Sequence, residues 1–89
     1  MEIYLLDGKD MTSRETAYRV IERTMRFPDW FGHNLDALYD SLSEMPPETA
    51  VVFVNTGRLA ENLGNYAYKV LACFRDSCEE VGYTFIEKE

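Results

Sequence analysis

Ala50-Val51-Val52-Phe53-Val54 places five apolar residues in succession, with no polar residue at alternate positions. A strand with one wet face alternates; an unbroken run suits a strand covered on both faces, which calls for helices above and below it and a parallel sheet. Pro46-Pro47 precedes the run and Asn55-Thr56-Gly57 follows it, so both ends are punctuated. The run is therefore predicted to be the central strand.

Working outward, Glu2-Ile3-Tyr4-Leu5-Leu6-Asp7 is a second apolar run, stopped by the turn pair Asp7-Gly8. Tyr83-Thr84-Phe85-Ile86 is a third. Helical spacing fills the intervals. Thr12 with Glu15 forms a capping-box pattern ahead of Ala17, Val20, Ile21, Thr24 and Met25, an inward stripe over roughly 13–26. After the central strand, Asn55 or Thr56 is expected to cap a short helix ending at Leu63-Gly64. Asn65 is expected to cap the next, whose Ala67, Val70, Leu71, Phe74, Cys78 and Val81 keep a 3.6-residue period up to Gly82. The predicted fold is α/β, a three-stranded parallel sheet in β-α-α-β-α-α-β order with right-handed crossovers and helices packed on it. Residues 1–89 are expected to form a single domain. It buries about 60–65% of its unfolded surface.

The remaining helix carries the functional interest. In Phe27-Pro28-Asp29-Trp30-Phe31-Gly32-His33-Asn34-Leu35-Asp36-Ala37-Leu38-Tyr39-Asp40-Ser41-Leu42-Ser43-Glu44, Pro28 ends the preceding helix and Gly32 permits a left-handed turn. Asn34 suits an N-cap, and Leu35, Leu38, Tyr39 and Leu42 form a core-facing stripe. On the opposite face Asp36 and Asp40 lie four apart and repel, with Ser43 continuing the row. Trp30 and Phe31 are two large aromatics in a segment that is ordinarily polar, and at least one is expected at the surface.

Charge sharpens the picture. The chain has a net charge of −7, and five acids (Asp29, Asp36, Asp40, Glu44, Glu48) fall in residues 27–49 without a Lys or Arg. An acidic surface beside an aromatic loop calls for a strongly basic protein partner and argues against direct binding to nucleic acid, whose phosphates require cations. No run of apolar residues is long enough to span a membrane and no signal-peptide pattern opens the chain, so a cytoplasmic location is expected. Cys73 and Cys78, five apart on one helix, are read as reduced thiols.

Two other chemistries compete. His33, the sole histidine, forms His-x2-Asp-x3-Asp with Asp36 and Asp40, which offers ligands for a metal or a hydrolytic pair. That spacing matches no known signature, so no catalytic residue, metal or cofactor is assigned. The second is the bland one: Asp36, Asp40, and Asp76 with Glu79 and Glu80, as ordinary solvated polar faces.

The 27–44 stretch resembles the Pro-x-Tyr-(Tyr/Phe)-Gly-x-Asn-Leu-Asp-Ala-Leu-Trp-Asp-x-Leu segment of the barstar-like family, intracellular inhibitors of secreted barnase-type ribonucleases. Length, element order and Val70-Leu71-x-x-Phe74-Arg75 with an acid at Asp76 fit the same family from end to end. The resemblance implies an inhibitor, not an enzyme. It would plug a basic ribonuclease active site, with Asp40 standing where a substrate phosphate sits and Asp36 as a second anchor. It further implies partner contacts from Trp30, Gly32, Asn34, Ala37, Tyr39, Ser43 and Asp76, and a free protein that is a monomer. An immunity-type module of the same fold, directed at another basic toxin or a nucleic-acid protein, is the alternative. The chain departs from the pattern at Glu44-Met45, where the family has Gly and Trp, at Asp76, where it has Glu, and at His33, which replaces an acid.

Overall fold

The computed structural model describes residues 1–89. Strand β1 (Ile3–Asp7) leads through a 3-10 turn at Gly8–Asp10 to helix α1 (Arg14–Met25) and helix α2 (Leu35–Ser43). Strand β2 (Ala50–Val54) is followed by α3 (Thr56–Leu63), α4 (Asn65–Val81) and β3 (Thr84–Glu87). The sheet is parallel with β2 in the centre, in the order β1-β2-β3. Both the element order and the central position of Ala50–Val54 are those expected from the sequence.

Coverage of the sheet differs from expectation. Alternate residues of a strand point to opposite faces. On one face Leu6, Val51 and Phe53 are fully buried, with Tyr4 and Phe85 packed against the same core. On the other, the register lines up Ile3 with Ala50 and Leu5 with Val52 and Ile86. There Ile3 is 66%, Leu5 61% and Ile86 42% exposed. The core therefore lies on a single face. Val52 and Val54 on this face are only partly exposed, and the unbroken run does not distinguish such a face from one under a second layer of helices.

The core joins Tyr18 and Ile21 of α1, Leu38 and Leu42 of α2, Leu59 of α3 and Val70, Leu71 and Phe74 of α4 to Phe53. Phe74 meets Phe53 edge-on at 5.6 Å and stacks on Phe85 at 5.2 Å. Ser77, fully buried on α4, donates to the Cys73 carbonyl and bonds the Tyr83 hydroxyl at 2.6 Å, so its polar atom is satisfied inside the core.

Two expected helix caps fall one residue away, and a third lacks its side-chain bond. Helix α1 is capped by Ser13, whose hydroxyl accepts from Thr16 N, rather than by Thr12. Asn55 occupies the N-cap position of α3 as expected, but in the left-handed region at φ 54° and without a side-chain cap bond; its side-chain amide donates to Asp7 Oδ1 instead, tying the ends of β1 and β2 together. Asn65 is already helical, and Gly64 (φ 60°) occupies the cap position, because the short link between α3 and α4 needs a backbone that only glycine adopts freely. No helix is long and apolar enough to cross a membrane.

Buried acids give the fold an alkaline limit. Burial pushes the Cys73 thiol from 9.0 up to about 11 and the Tyr83 phenol from 10.0 up to about 12. Burial and the Tyr66 hydroxyl raise Tyr18 as well. All three stay protonated in the fold and ionise more readily when unfolded. Their contribution is therefore complete below pH 9.0 and is lost as pH rises toward about 12. The urea midpoint is expected to be lower at about pH 10.5 than at about pH 8, with the decline shallower in Cys73→Ala.

Candidate protein-binding site on the acidic helix

Helix α2 starts as its sequence dictates. Asn34 holds an extended backbone (φ −149°) and its Oδ1 accepts from Ala37 N at 2.8 Å. Gly32 is not in the left-handed region, contrary to expectation. Its role is space: a Cβ there would lie 3.0 Å from Asn34 Nδ2 and 3.2 Å from Ala37 Cβ, so a side chain would press on the cap and the first turn of α2.

The loop sorts its two aromatics. Phe31 is 8% exposed and packs on Phe27 at 5.0 Å, while Trp30 is 85% exposed. A turn from the Phe31 amide to the Pro28 carbonyl, 2.9 Å, throws the indole outward between them.

Along α2, Leu38 and Leu42 are fully buried and Leu35, Ala37 and Tyr39 partly so, whereas Asp36 and Asp40 are exposed. None of the five ion pairs in the molecule involves Asp36, Asp40 or Asp76, so these three carboxylates face water without a cation. Ser43 is half-buried and donates to the Tyr39 carbonyl at 2.8 Å, which commits its hydrogen but leaves lone pairs outward.

Helix α4 lies beside α2 and adds to the same surface. The Cys73 thiol reaches the Leu35 carbonyl at 3.7 Å, seating α4 on the first turn of α2. Besides its burial, the charges of Asp76 and Asp36 both raise that thiol, which places carboxylates of the two helices around one point. One turn on, the Tyr39 hydroxyl donates to Glu80 Oε2, and that bond keeps the phenol protonated above its ordinary range. Glu80, which the sequence offers only as part of a solvated face, thereby lies on the surface shared by α2 and α4. Its signal was the four-residue step from Asp76, which puts both acids on one face of α4.

His33 does not join Asp36 and Asp40. Its Nε2 lies 3.3 Å from Glu22 Oε1 and its ring stacks on Tyr18, and no three His, Cys, Asp or Glu side chains are grouped to hold a metal ion. In the turn at Asn55–Arg58 the backbone amides are already committed: Thr56 N donates to Lys88 O, and Arg58 N and Leu59 N donate to Asn55 O. A cleft lined by Thr56, Tyr68, Leu71, Arg75, Glu87 and Glu89, among others, contains none of the acidic-site residues.

Comparison with known proteins places this arrangement. Over 84 residues the chain is 32% identical to the protein named "Putative ribonuclease inhibitor YrdF" of Bacillus subtilis (strain 168), covering 91% of this chain and 90% of that protein. The model of the family described as Barstar (barnase inhibitor) matches residues 1–87. With the parallel sheet, the element order and the acidic helix after an aromatic loop, the chain belongs to the barstar family.

Proposed function

We propose that this protein is a non-catalytic, cytoplasmic inhibitor of a basic, secreted, barnase-type ribonuclease, which it blocks by setting α2 and the preceding loop into the enzyme's active site. The observation that carries this reading is the pair Asp36 and Asp40, exposed on one helix face with no cation of their own. An Arg- and Lys-lined cleft built for RNA phosphates supplies what they lack, and charge-assisted bonds to Arg are short and strong. Trp30 gives a flat, rigid apolar contact at the rim. A stable complex would bury about 800 Å² on each partner. Nucleic acid and membranes are not partners in this scheme, and the free protein is a monomer.

Co-expression with candidate ribonucleases tests it: the wild-type chain is expected to rescue the host from at least one such enzyme, and failure across a panel of barnase-type ribonucleases refutes the proposal. Long-range attraction between an acidic face and a basic cleft also predicts kinetics. Raising ionic strength from about 0.01 to about 1 M shortens the screening length from about 30 to about 3 Å, so the association rate is expected to fall steeply while dissociation changes little. A flat association rate in stopped flow would contradict the steering.

A second reading keeps the surface and changes the target to another basic toxin. It is favoured by Glu44, which is exposed and adds a charge beyond the end of α2, and by Met45, which turns into the core where the family carries an aromatic. Rescue from a non-ribonuclease toxin, with none from the ribonuclease panel, would select it.

A further inference from the structure

His33 has no task in the inhibitor scheme, yet its ring, exposed at one edge, makes contacts on three sides. Its ring lies nearly parallel to Tyr18, at 5.9 Å between centroids and 12° between planes. Phe31 tilts against its edge at 5.7 Å, and Nε2 meets Glu22 Oε1 at 3.3 Å. Tyr18 and Glu22 stand four apart on one face of α1. Tyr18 is fixed from behind, being buried with its hydroxyl 2.5 Å from that of Tyr66 on α4, and the Arg14 guanidinium lies 4.0 Å over the Tyr66 ring. The platform under His33 is thus two helices locked to each other.

The backbone explains why such a platform is needed. Gly32, the residue with the greatest conformational freedom, lies between Phe31 and His33. Trp30 lies just before them and is 85% exposed, with no stacking partner of its own. Phe31, packed on Phe27, and His33, stacked on Tyr18, anchor the loop on either side of the glycine.

We propose that His33 is a positioning residue: by stacking on Tyr18 and bonding Glu22 it ties the aromatic loop to α1 and pre-sets the direction in which Trp30 meets the partner. The role rests on the inhibitor reading for its consequence but not for its existence. The bond to the Glu22 carboxylate needs a hydrogen on Nε2, the tautomer that an accepting carboxylate favours there.

Trp30 is the only tryptophan, so its fluorescence anisotropy in the free, full-length protein reports the loop directly. His33→Ala is expected to lower that anisotropy while the far-UV spectrum stays unchanged. It is also expected to slow association with an inhibited ribonuclease by about three- to tenfold, the cost of ordering a loop and one large side chain at binding. His33→Phe, which keeps the stack, is expected to restore most of the anisotropy, and Glu22→Ala, which keeps the stack and removes the bond, to lower it part way. A histidine that served stability alone would shift the unfolding midpoint and leave Trp30 in the folded protein unchanged. Should His33→Ala not fold, Glu22→Ala and His33→Phe still decide the matter. Wild-type anisotropy in the folded His33→Ala protein, or in Glu22→Ala, would overturn the proposal. If instead no ribonuclease is inhibited by the wild type, the inhibitor reading falls and the anisotropy result still stands on its own.

Discussion

Asp40→Ala is expected to weaken inhibition of the cognate ribonuclease by about two to three and a half orders of magnitude while the protein folds as before. Asp40 sits in the middle of the exposed face of α2, past the first turn, where the helix dipole no longer helps an acid. In the free protein it has no partner, and Asp36 one turn back repels it. Alanine is the better helix former, so the free protein should be slightly more stable after the change. In the complex the balance reverses. The enzyme's basic group would be left buried and unpaired, and breaking a buried pair from one side costs about 3–5 kcal/mol, at about 1.4 kcal/mol per decade of affinity. A titration of ribonuclease activity against the variant, beside a denaturant melt, measures both halves. Unchanged inhibition would remove Asp40 from the site, and a collapsed melt would show that its role is structural.

The second large effect is on the fold. Phe74→Ala is expected to destabilise the protein by about 3–5 kcal/mol, as removal of a buried phenylalanine does when its cavity cannot collapse. Phe74 is fully buried between Phe53 of the central strand and Phe85 of β3, and neither strand can move to fill the gap without breaking the ladder on β2. A domain of this size holds about 5–15 kcal/mol in all, so the variant should be substantially unfolded at moderate urea. Because α4 is seated by this ring and also carries Asp76 and Glu80, inhibition should fall in proportion to the folded fraction. Phe74→Leu, which keeps most of the volume, should lose far less in the same urea titration, and equal losses would mean that the two aromatic contacts, not the volume, hold α4.

What could be read from the sequence follows the range of the interactions. Features set within a few residues were legible: the Asn34 cap, the Leu38 and Leu42 stripe, the apolar run at Ala50–Val54 and the left-handed stop at Gly82. Where several local solutions compete, the reading slipped. Ser13 and Thr12 are adjacent cap residues, and Asn55, though at the cap position, makes no side-chain cap bond because Asp7, 48 positions away, offers its amide a carboxylate. Phe31 and Trp30 are indistinguishable as a pair of adjacent aromatics. Only the turn back to Pro28 and the presence of Tyr18 and Phe27 decide which ring is inside. The same holds for Tyr39 with Glu80 and His33 with Glu22, whose partners lie 41 and 11 residues away and are brought near by helix packing.

The bare side of the sheet has a consequence for handling the protein. Ile3, Leu5 and Ile86 form an oily strip on a molecule whose copies are otherwise kept apart by a shared charge of −7. Acidification toward the isoelectric point near 4.6 removes that repulsion without covering the strip, so colloidal stability should vanish there well before the chain itself unfolds.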